Sequence, residues 1–242
     1  MRLTHVRRGV FLALALAVGS AGRGHTARAE MPAAGGIWCR AEAEPGCGGG
    51  CQRRLRESLR RLTGLRDLRF AEGGALVPGA EGGGGSARAR EILRDSLGSG
   101  AVFIVEDHSG SGGINFGQLD QGTNYEDLRS GRRAVIWRVR IDFDDFREME
   151  APRAVRESFD EGITLLHELL HAAGYKDPAQ GEDLGGCEEL VNEVRGELGL
   201  PLREQYFGEP LRLAHGVSSV RLRFRGPARR EHYLFFLQPA RR

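Results

Sequence analysis

The chain of 242 residues lacks several features that mark common protein classes. Its formal net charge is only +2, its arginines are scattered, and it has no basic stripe interleaved with aromatics. It also has no phosphate-cradling Gly-x-Gly motif beside a predicted strand, so a nucleic-acid partner is not expected. Apart from one short apolar run near the start, nothing approaches the length of a membrane span. These absences favour a globular protein without stable membrane insertion.

The short apolar run is typical of a secretory signal. A basic start precedes Val10–Val18, which is too short to cross a bilayer comfortably, and Ala27-Arg28-Ala29 then offers a small-x-small cleavage site. We therefore predict a signal peptide over residues 1–29 and a single mature domain over 30–242. The expected location is secreted or periplasmic.

Cysteine is scarce, with four residues, all in the predicted mature region: Cys39, Cys47, Cys51 and Cys187. An even count in an exported chain predicts two disulfides, and three pairings are open. We expect one bridge to tie Cys187 to the N-terminal cluster and so stabilise the N-terminal segment. The spacing Cys47-x-x-x-Cys51 also fits half of a zinc knuckle, but no second Cys/His pair completes it.

The pattern of apolar residues predicts an α+β fold with a small mixed sheet. Period-3.6 patterns predict helices, and period-two or β-branched runs predict strands. The predicted helices span 52–63, 87–97, 155–173 with a break near Gly162, and 187–198. The predicted strands span 101–105, 132–143, 217–225 and 231–238, the last two as a terminal hairpin. Residues 115–125 are polar and are predicted as a loop or hairpin.

The most informative motif is His167-Glu168-Leu169-Leu170-His171, which reads His-Glu-x-x-His. Residues four apart on a helix lie on the same face, so both imidazoles can bind one Zn²⁺ ion. Glu168 can then act as general base on a water at the open metal position. The competing interpretation is a core helix that happens to carry two histidines. Burying them and Glu168 unpaired would be costly, and a metal would resolve all three.

A catalytic zinc usually takes a third protein ligand. Asp177 is one option, because His171-x-x-Gly174-x-x-Asp177 has metzincin spacing with Asp in place of the last His. The other option is a carboxylate from the helix 187–198, as in thermolysin-like proteases. Among its carboxylates Glu188, Glu189 and Glu193, we favour Glu188.

The choice of Glu188 rests on the angle between residues of that helix, about 100° per residue. Its apolar stripe contains Cys187, Leu190, Val191, Val194 and Leu198. Glu188 lies on one flank of the stripe together with Asn192 and Arg195, which could orient it. Glu189 is predicted to point to solvent, and Glu193 lies on the opposite flank. An ordinary solvated helix face is the alternative for each of them.

The run from Asn192 to Tyr206 resembles the zinc metallopeptidases related to the NleD-type bacterial effector proteases. It carries Asn192-x-x-Arg195, Leu198-Gly-Leu-Pro201-x-Arg203 and Tyr206, downstream of His-Glu-x-x-His. The resemblance covers about 167–206 and implies a zincin-like core with His167 and His171 as ligands and Glu168 as base. Its acidic ligand falls in the region of Glu188 and Glu189, where this chain is about one turn shorter. The export signal argues against carrying over cleavage of host kinases.

These observations predict a secreted zinc-dependent metalloendopeptidase acting on a protein or peptide substrate. The strand Val135–Phe143 is expected to bind substrate at a sheet edge, and Tyr206 or Arg203 is a candidate to stabilise the oxyanion. A first alternative is a non-catalytic secreted protein with a structural zinc. A second is an interaction module whose function lies in the terminal hairpin.

Overall fold

The structure is a computed structural model that describes residues 35–39, 50–110, 116–127, 131–179, 183–212 and 218–238. Residues Pro32–Arg242 form one compact unit. The predicted signal peptide, its cleavage site and Cys47 lie outside the described residues. Within the described ranges, none of the helices has the length and apolar character needed to cross a membrane.

The fold contains both helices and strands, which confirms the predicted α+β class. The helices are α1 Gly50–Thr63, α2 Ala87–Gly98, α3 Phe143–Glu148, α4 Arg153–Ser158, α5 Glu161–Ala172 and α6 Gly185–Glu197. The strands are β1 Gly36–Cys39, β2 Arg69–Phe70, β3 Leu76–Val77, β4 Val102–Asp107, β5 Gly117–Leu119, β6 Thr123–Asp127, β7 Arg132–Ile141, β8 Leu202–Arg203, β9 Glu209–Arg212, β10 Ser218–Arg225 and β11 Glu231–Gln238. The four longest predicted helical segments all contain helix, and every predicted strand is present.

The larger sheet is mixed, with parallel strands in its centre and antiparallel strands at one edge. Strands β1, β4 and β7 run parallel, and β5 and β6 pair antiparallel with different parts of β7. Buried side chains of β4 and β7, such as Phe103, Val105, Val139 and Ile141, pack in the main core. This confirms the predicted buried face of the strand around 132–141.

The prediction that this strand binds substrate at a sheet edge is wrong. Strand β7 is interior, because β4 occupies one side and β5 and β6 occupy the other. The strand also ends at Ile141, where Asp142 caps α3 by accepting from the backbone N–H groups of Asp144 and Asp145. Of the described strands, β5 and β6 each pair only with β7, so both lie at this edge of the sheet. The sequence analysis placed the segment of β5 in a polar loop or hairpin.

Helix α5 carries the His-Glu-x-x-His motif and is the most buried helix. Its apolar residues Ile163, Leu165, Leu166 and Leu169 are at most 1% exposed. The break predicted near Gly162 lies slightly earlier, at Phe159 and Asp160, where α4 ends and α5 begins. One carboxylate oxygen of Asp160 accepts from the first-turn N–H groups of α5, and the other accepts from Ser58 and pairs with Arg61 of α1. The capping residue therefore also joins α5 to α1.

The C-terminal strands form a second sheet rather than an isolated hairpin. Strands β10 and β11 pair over their whole length, as predicted, and β8 and β9 pair with the other side of β10. Leu222, Phe224 and Leu234 of this sheet are at most 3% exposed and belong to the main core. This packing does not favour an independent interaction module.

Helix α5 approaches α1 so closely at Gly162 that a side chain does not fit there. A Cβ at Gly162 would lie 2.2 Å from Ser58 Oγ and 3.0 Å from Leu62 Cδ1. We expect Gly162→Ala to lower the free energy of unfolding by about 1–3 kcal/mol through overpacking. Gly196→Ala is the matched control, because nothing lies within 4 Å of its Cβ, and it should be stabilising by up to about 1 kcal/mol. Urea unfolding of both variants measures the difference, and equal stabilities would contradict the packing described.

Candidate metal centre and active site

Helix α5 brings His167, Glu168 and His171 to the walls of two neighbouring cavities. The rings of His167 and His171 lie one turn apart with centroids 4.9 Å from each other and planes inclined by 83°. His167 and Glu168 are buried, and His171 is partly exposed. The helical geometry predicted from the motif is therefore present.

The chain reverses direction just after α5. The predicted helix stop is confirmed, because α5 ends at Ala172 and Gly174 has φ +96°, a conformation that favours glycine. Backbone hydrogen bonds from Gly174 and Tyr175 to the carbonyls of His171 and Leu170 close this turn. The reversal returns Asp177 to the face of α5 that carries the imidazoles.

Asp177 lies between the two imidazoles. Its Oδ1 is 3.1 Å from His167 Nε2, and its Oδ2 is 3.1 Å from His171 Nε2. The hydroxyl of Tyr206 donates to Oδ2 at 2.5 Å. Oδ1 is buried and has no aligned hydrogen bond within the described part of the chain. Two ring nitrogens and an undersatisfied carboxylate thus converge on one point.

This convergence gives a group that could hold a metal ion. Ligand atoms of His167, His171, Asp177 and Cys187 all lie within 4.8 Å of one another. Imidazole nitrogen, carboxylate oxygen and thiolate sulfur are all zinc ligands. A cation here would also satisfy the buried Asp177 Oδ1. The residues present therefore fit the predicted Zn²⁺, with Asp177 as the carboxylate between both imidazoles.

Glu188, the favoured third ligand, lies on the other side of His167. Glu188 Oε2 is 3.2 Å from His167 Nδ1, whereas His167 Nε2 faces Asp177. Glu188 is bound at 2.5 Å by Arg195 and at 3.2 Å by Arg203. One imidazole cannot present Nδ1 and Nε2 to the same cation, so the ligand prediction for Glu188 does not fit this arrangement. Its carboxylate instead fits an orienting role, in which it accepts Nδ1–H and leaves Nε2 free for a metal.

The pKa of Glu188 reflects this position. Burial opposes its ionisation, but the guanidinium groups of Arg195 and Arg203 outweigh burial and hold its pKa well below the usual range. The predicted partners on its helix flank are confirmed in part: Arg195 donates to Glu188, and to Asn192 Oδ1 at 2.9 Å. The rival Glu189 is exposed, as predicted, and Glu193 pairs with Arg88 away from the imidazoles.

Cys187 faces His171, where the sequence analysis expected a bridge to the N-terminal cluster. Its sulfur lies 3.3 Å from His171 Nδ1, and the Tyr175 carbonyl oxygen lies 3.1 Å from the same nitrogen. Cys187 is a buried free thiol in this structure, so that bridge is absent. Burial raises the pKa of the thiol. Disulfides involving Cys47 fall outside the described residues and stay a prediction.

Glu168 is held against the edge strand β5. A Cβ on Gly117 would lie 3.2 Å from Glu168 Oε1. Burial raises the pKa of Glu168 above its ordinary value, although the two imidazoles and, to a smaller extent, the backbone of Leu119 oppose the rise. A carboxylate with a raised pKa accepts and returns a proton near neutral pH more readily than an ordinary one.

The oxyanion candidates are occupied by other contacts. Each nitrogen of the Arg203 guanidinium donates elsewhere, to Glu188 and to the backbone carbonyls of Gln205 and Tyr206. The Tyr206 hydroxyl donates to Asp177. These contacts favour positioning roles for both residues over the oxyanion role considered from the sequence.

Sequence reasoning therefore underrated three features of the site. Asp177 was recognisable from the metzincin spacing but was ranked below Glu188. Cys187 was assigned to a disulfide because the chain carries an export signal. Strand β5 is only three residues long and contains no β-branched residue, so no sequence pattern marked it.

None of the protein-family models, curated proteins or solved structures compared with this chain matches it significantly. The resemblance to NleD-type peptidases stays a prediction.

We expect metal affinity to separate the candidate ligands. Asp177→Ala should lose most of its zinc affinity, because it removes the carboxylate between the imidazoles. Glu188→Gln should lose about 10–100-fold, the usual effect of altering a group that orients a ligand. Glu189→Gln, at an exposed position of the same helix, is the control and should bind like the parent. Competition with a chromophoric chelator measures all three, and a greater loss in Glu188→Gln than in Asp177→Ala would contradict the arrangement.

Metal binding should also release protons. Burial lowers the pKa of His167, but hydrogen bonds to Asp177 and Glu188 outweigh burial and raise this pKa to about 9. The pKa of His171 is raised to about 10, mainly by Asp177 and secondly by Cys187. A metal requires neutral imidazoles, so it must displace these protons at pH 7. Zinc affinity should therefore rise with pH until the imidazoles lose their protons. Calorimetry in buffers of different ionisation enthalpy counts the protons, and zero release at pH 7 would contradict this prediction.

Proposed function

We propose that this protein is a secreted or periplasmic zinc-dependent metalloendopeptidase that hydrolyses peptide bonds of a protein or peptide substrate. The observation that carries the proposal is the convergence of both Nε2 atoms and the Asp177 carboxylate beside buried Glu168. An edge strand runs along the same site. Together these features provide a metal site, a base and a place for an extended peptide.

The residues that would hold Zn²⁺ are His167, His171 and Asp177. When bound, the ion supplies Lewis-acid chemistry, which acidifies water and polarises the peptide carbonyl. Glu188 at Nδ1 of His167 and the Tyr175 carbonyl at Nδ1 of His171 fix the ring orientations. Tyr206 holds Asp177 from the opposite side.

Glu168 moves the proton in the proposed reaction. Its carboxylate takes a proton from the attacking water as the new carbon–oxygen bond forms. It then gives this proton to the leaving amine nitrogen as the peptide carbon–nitrogen bond breaks. The raised pKa and the burial of Glu168 suit both transfers.

Strand β5 is the proposed support for the substrate backbone. The Phe116 carbonyl accepts a hydrogen bond from Asp142 N–H, and Asp120 N–H donates to the Arg138 carbonyl. These bonds show that Phe116 and Asp120 direct their backbone groups toward β7 and the residue that follows it. By the alternation of an antiparallel pair, backbone groups of Gly117 and Leu119 face away from β7, and the Leu119 contact with Glu168 agrees with this direction. An extended peptide could pair with these outward groups by β-strand addition. A cavity of about 400 Å³ lies between β5 and Glu168, His171, Asp177 and Tyr206, and gives it room.

A non-catalytic zinc protein is the second candidate, and Cys187 is the observation that favours it. The Cys187 sulfur lies beside Nδ1 of His171, whereas Asp177 lies beside Nε2 of that ring. If the His171 ring turned so that Cys187 joined His167, His171 and Asp177 as a ligand, four protein ligands would close the site, as in structural zinc centres. Cobalt substitution separates the two cases, because a thiolate ligand gives an intense sulfur-to-metal charge-transfer absorption in the near ultraviolet. Absence of that absorption supports an open, catalytic site.

The decisive test of the proposal is the variant Glu168→Gln. It removes the base but keeps the size of the side chain, so we expect hydrolysis of casein or a peptide library to fall by about 10²–10⁴-fold. Zinc content should equal that of the parent. Glu189→Gln is the matched control on an exposed surface and should keep parental activity. Parental activity of zinc-loaded Glu168→Gln would contradict the role of Glu168 as the base. Absence of hydrolysis by the parent would contradict the protease function.

A further inference from the structure

A second cavity adjoins the motif residues and is not used by the steps above. It has a volume of about 360 Å³ and shares His167, Glu168 and Tyr206 with the site. Much of its remaining wall is apolar and comes from the residue before β5, from α5 and the residue after α4, and from the second sheet: Phe116, Phe159, Ile163, Val220, Leu222 and Phe236. Three further charged residues, Glu188, Arg195 and Arg203, also line it.

The charged part of the wall contains the guanidinium groups of Arg195 and Arg203 and the carboxylates of Glu168 and Glu188. Arg195 and Arg203 share the single carboxylate of Glu188. Every nitrogen of the Arg203 guanidinium already donates a hydrogen bond, to Glu188 or to one of two backbone carbonyls. Among the described residues, Glu188 is therefore the one carboxylate of the wall that forms an ion pair with these guanidinium groups.

Arg195 supplies the available hydrogen-bond donor. Its side chain is completely buried. Its Nε donates to the Ser158 carbonyl at 2.8 Å, and its Nη1 donates to Glu188 and Asn192. Its Nη2 is buried without a hydrogen-bond partner among the described residues. A buried, charged donor left unsatisfied is unfavourable, and buried polar groups normally have a partner.

We propose that this cavity selects substrates by a carboxylate group close to the scissile bond, which Arg195 binds through Nη2. The carboxylate belongs either to an acidic side chain flanking the scissile bond or to the C-terminus of the substrate. The apolar wall accommodates the carbon stem that carries it. This assignment makes Arg195 a specificity residue, and it rests on the proposed peptidase function.

The first experiment measures cleavage preference. Peptides that differ only by Glu or Gln beside the cleaved bond test the side-chain source, and peptides ending in a free acid or an amide test the terminal source. We expect the parent to favour one acidic member of these pairs by at least about tenfold in kcat/KM. Equal cleavage of both pairs overturns the proposal.

Variants then test whether Arg195 causes the preference. Arg195→Lys keeps the positive charge opposite Glu188 but removes the Nη2 donor, so the preference should fall below about threefold. Arg88→Lys is the control and should keep it, because Arg88 is partly exposed, pairs with Glu91 and Glu193, and does not line the cavity. Phe236→Glu places a competing carboxylate in the cavity and should abolish the preference, whereas Phe236→Gln should not. Because each ratio compares two substrates on one variant, a loss of folded protein cancels, and an unchanged ratio in Arg195→Lys overturns the proposal.

Binding measurements test the carboxylate pocket independently of catalysis. Zinc-loaded Glu168→Gln is titrated with N-acetyl-glutamate amide and with N-acetyl-glutamine amide, and in parallel with N-acetyl-alanine and its amide. Tighter binding of one acidic probe, lost in Arg195→Lys, supports the pocket even if the parent cleaves no peptide. Equal binding within both pairs refutes the pocket even if the parent is an active peptidase.

Discussion

The buried ion pair between Glu188 and Arg195 organises the site. The side chain of Glu188 extends from α6 to His167 on α5, and Arg195 of α6 and Arg203 of β8 both bind the Glu188 carboxylate. Arg195 in turn donates to the Ser158 carbonyl of α4 and lies over the ring of Phe224 in β10. Three helices and the second sheet thus meet at one carboxylate. Removing either charge would leave the other buried and unpaired, which is among the most destabilising changes a core can suffer.

The same arrangement explains how the two sheets share one site. The larger sheet contributes β5, whose backbone lies against Glu168. The second sheet contributes Arg203 and walls the neighbouring cavity with Val220, Leu222 and Phe236. Helix α5 lies between these contributions and carries His167, Glu168 and His171. In the proposed function, the hydrolytic groups and the groups that select the substrate therefore come from different layers of the fold.

The sequence predicted the elements well where side-chain periodicity was strong. Helix α5, the strand at 132–141 and the pair β10 and β11 all have long, regular patterns. The angular analysis of α6 also placed Glu188, Asn192 and Arg195 on one flank. It could not tell which nitrogen of His167 the carboxylate would meet, because that depends on the distance and tilt between α5 and α6. Strand β5 escaped detection because its conformation comes from pairing with β7 rather than from its own three residues.

The reversal after α5 has a consequence for chain length. Asp177 lies six positions after His171, and the five residues between them reverse the chain. Gly174 makes this reversal possible with a left-handed backbone conformation. In such a short connection the number of residues matters more than their chemistry. Shortening or lengthening it by one would shift the carboxylate by roughly 3 Å along the chain, which would break its 3.1 Å contacts with both imidazoles. Insertions in this region should therefore be tolerated only on the far side of Asp177.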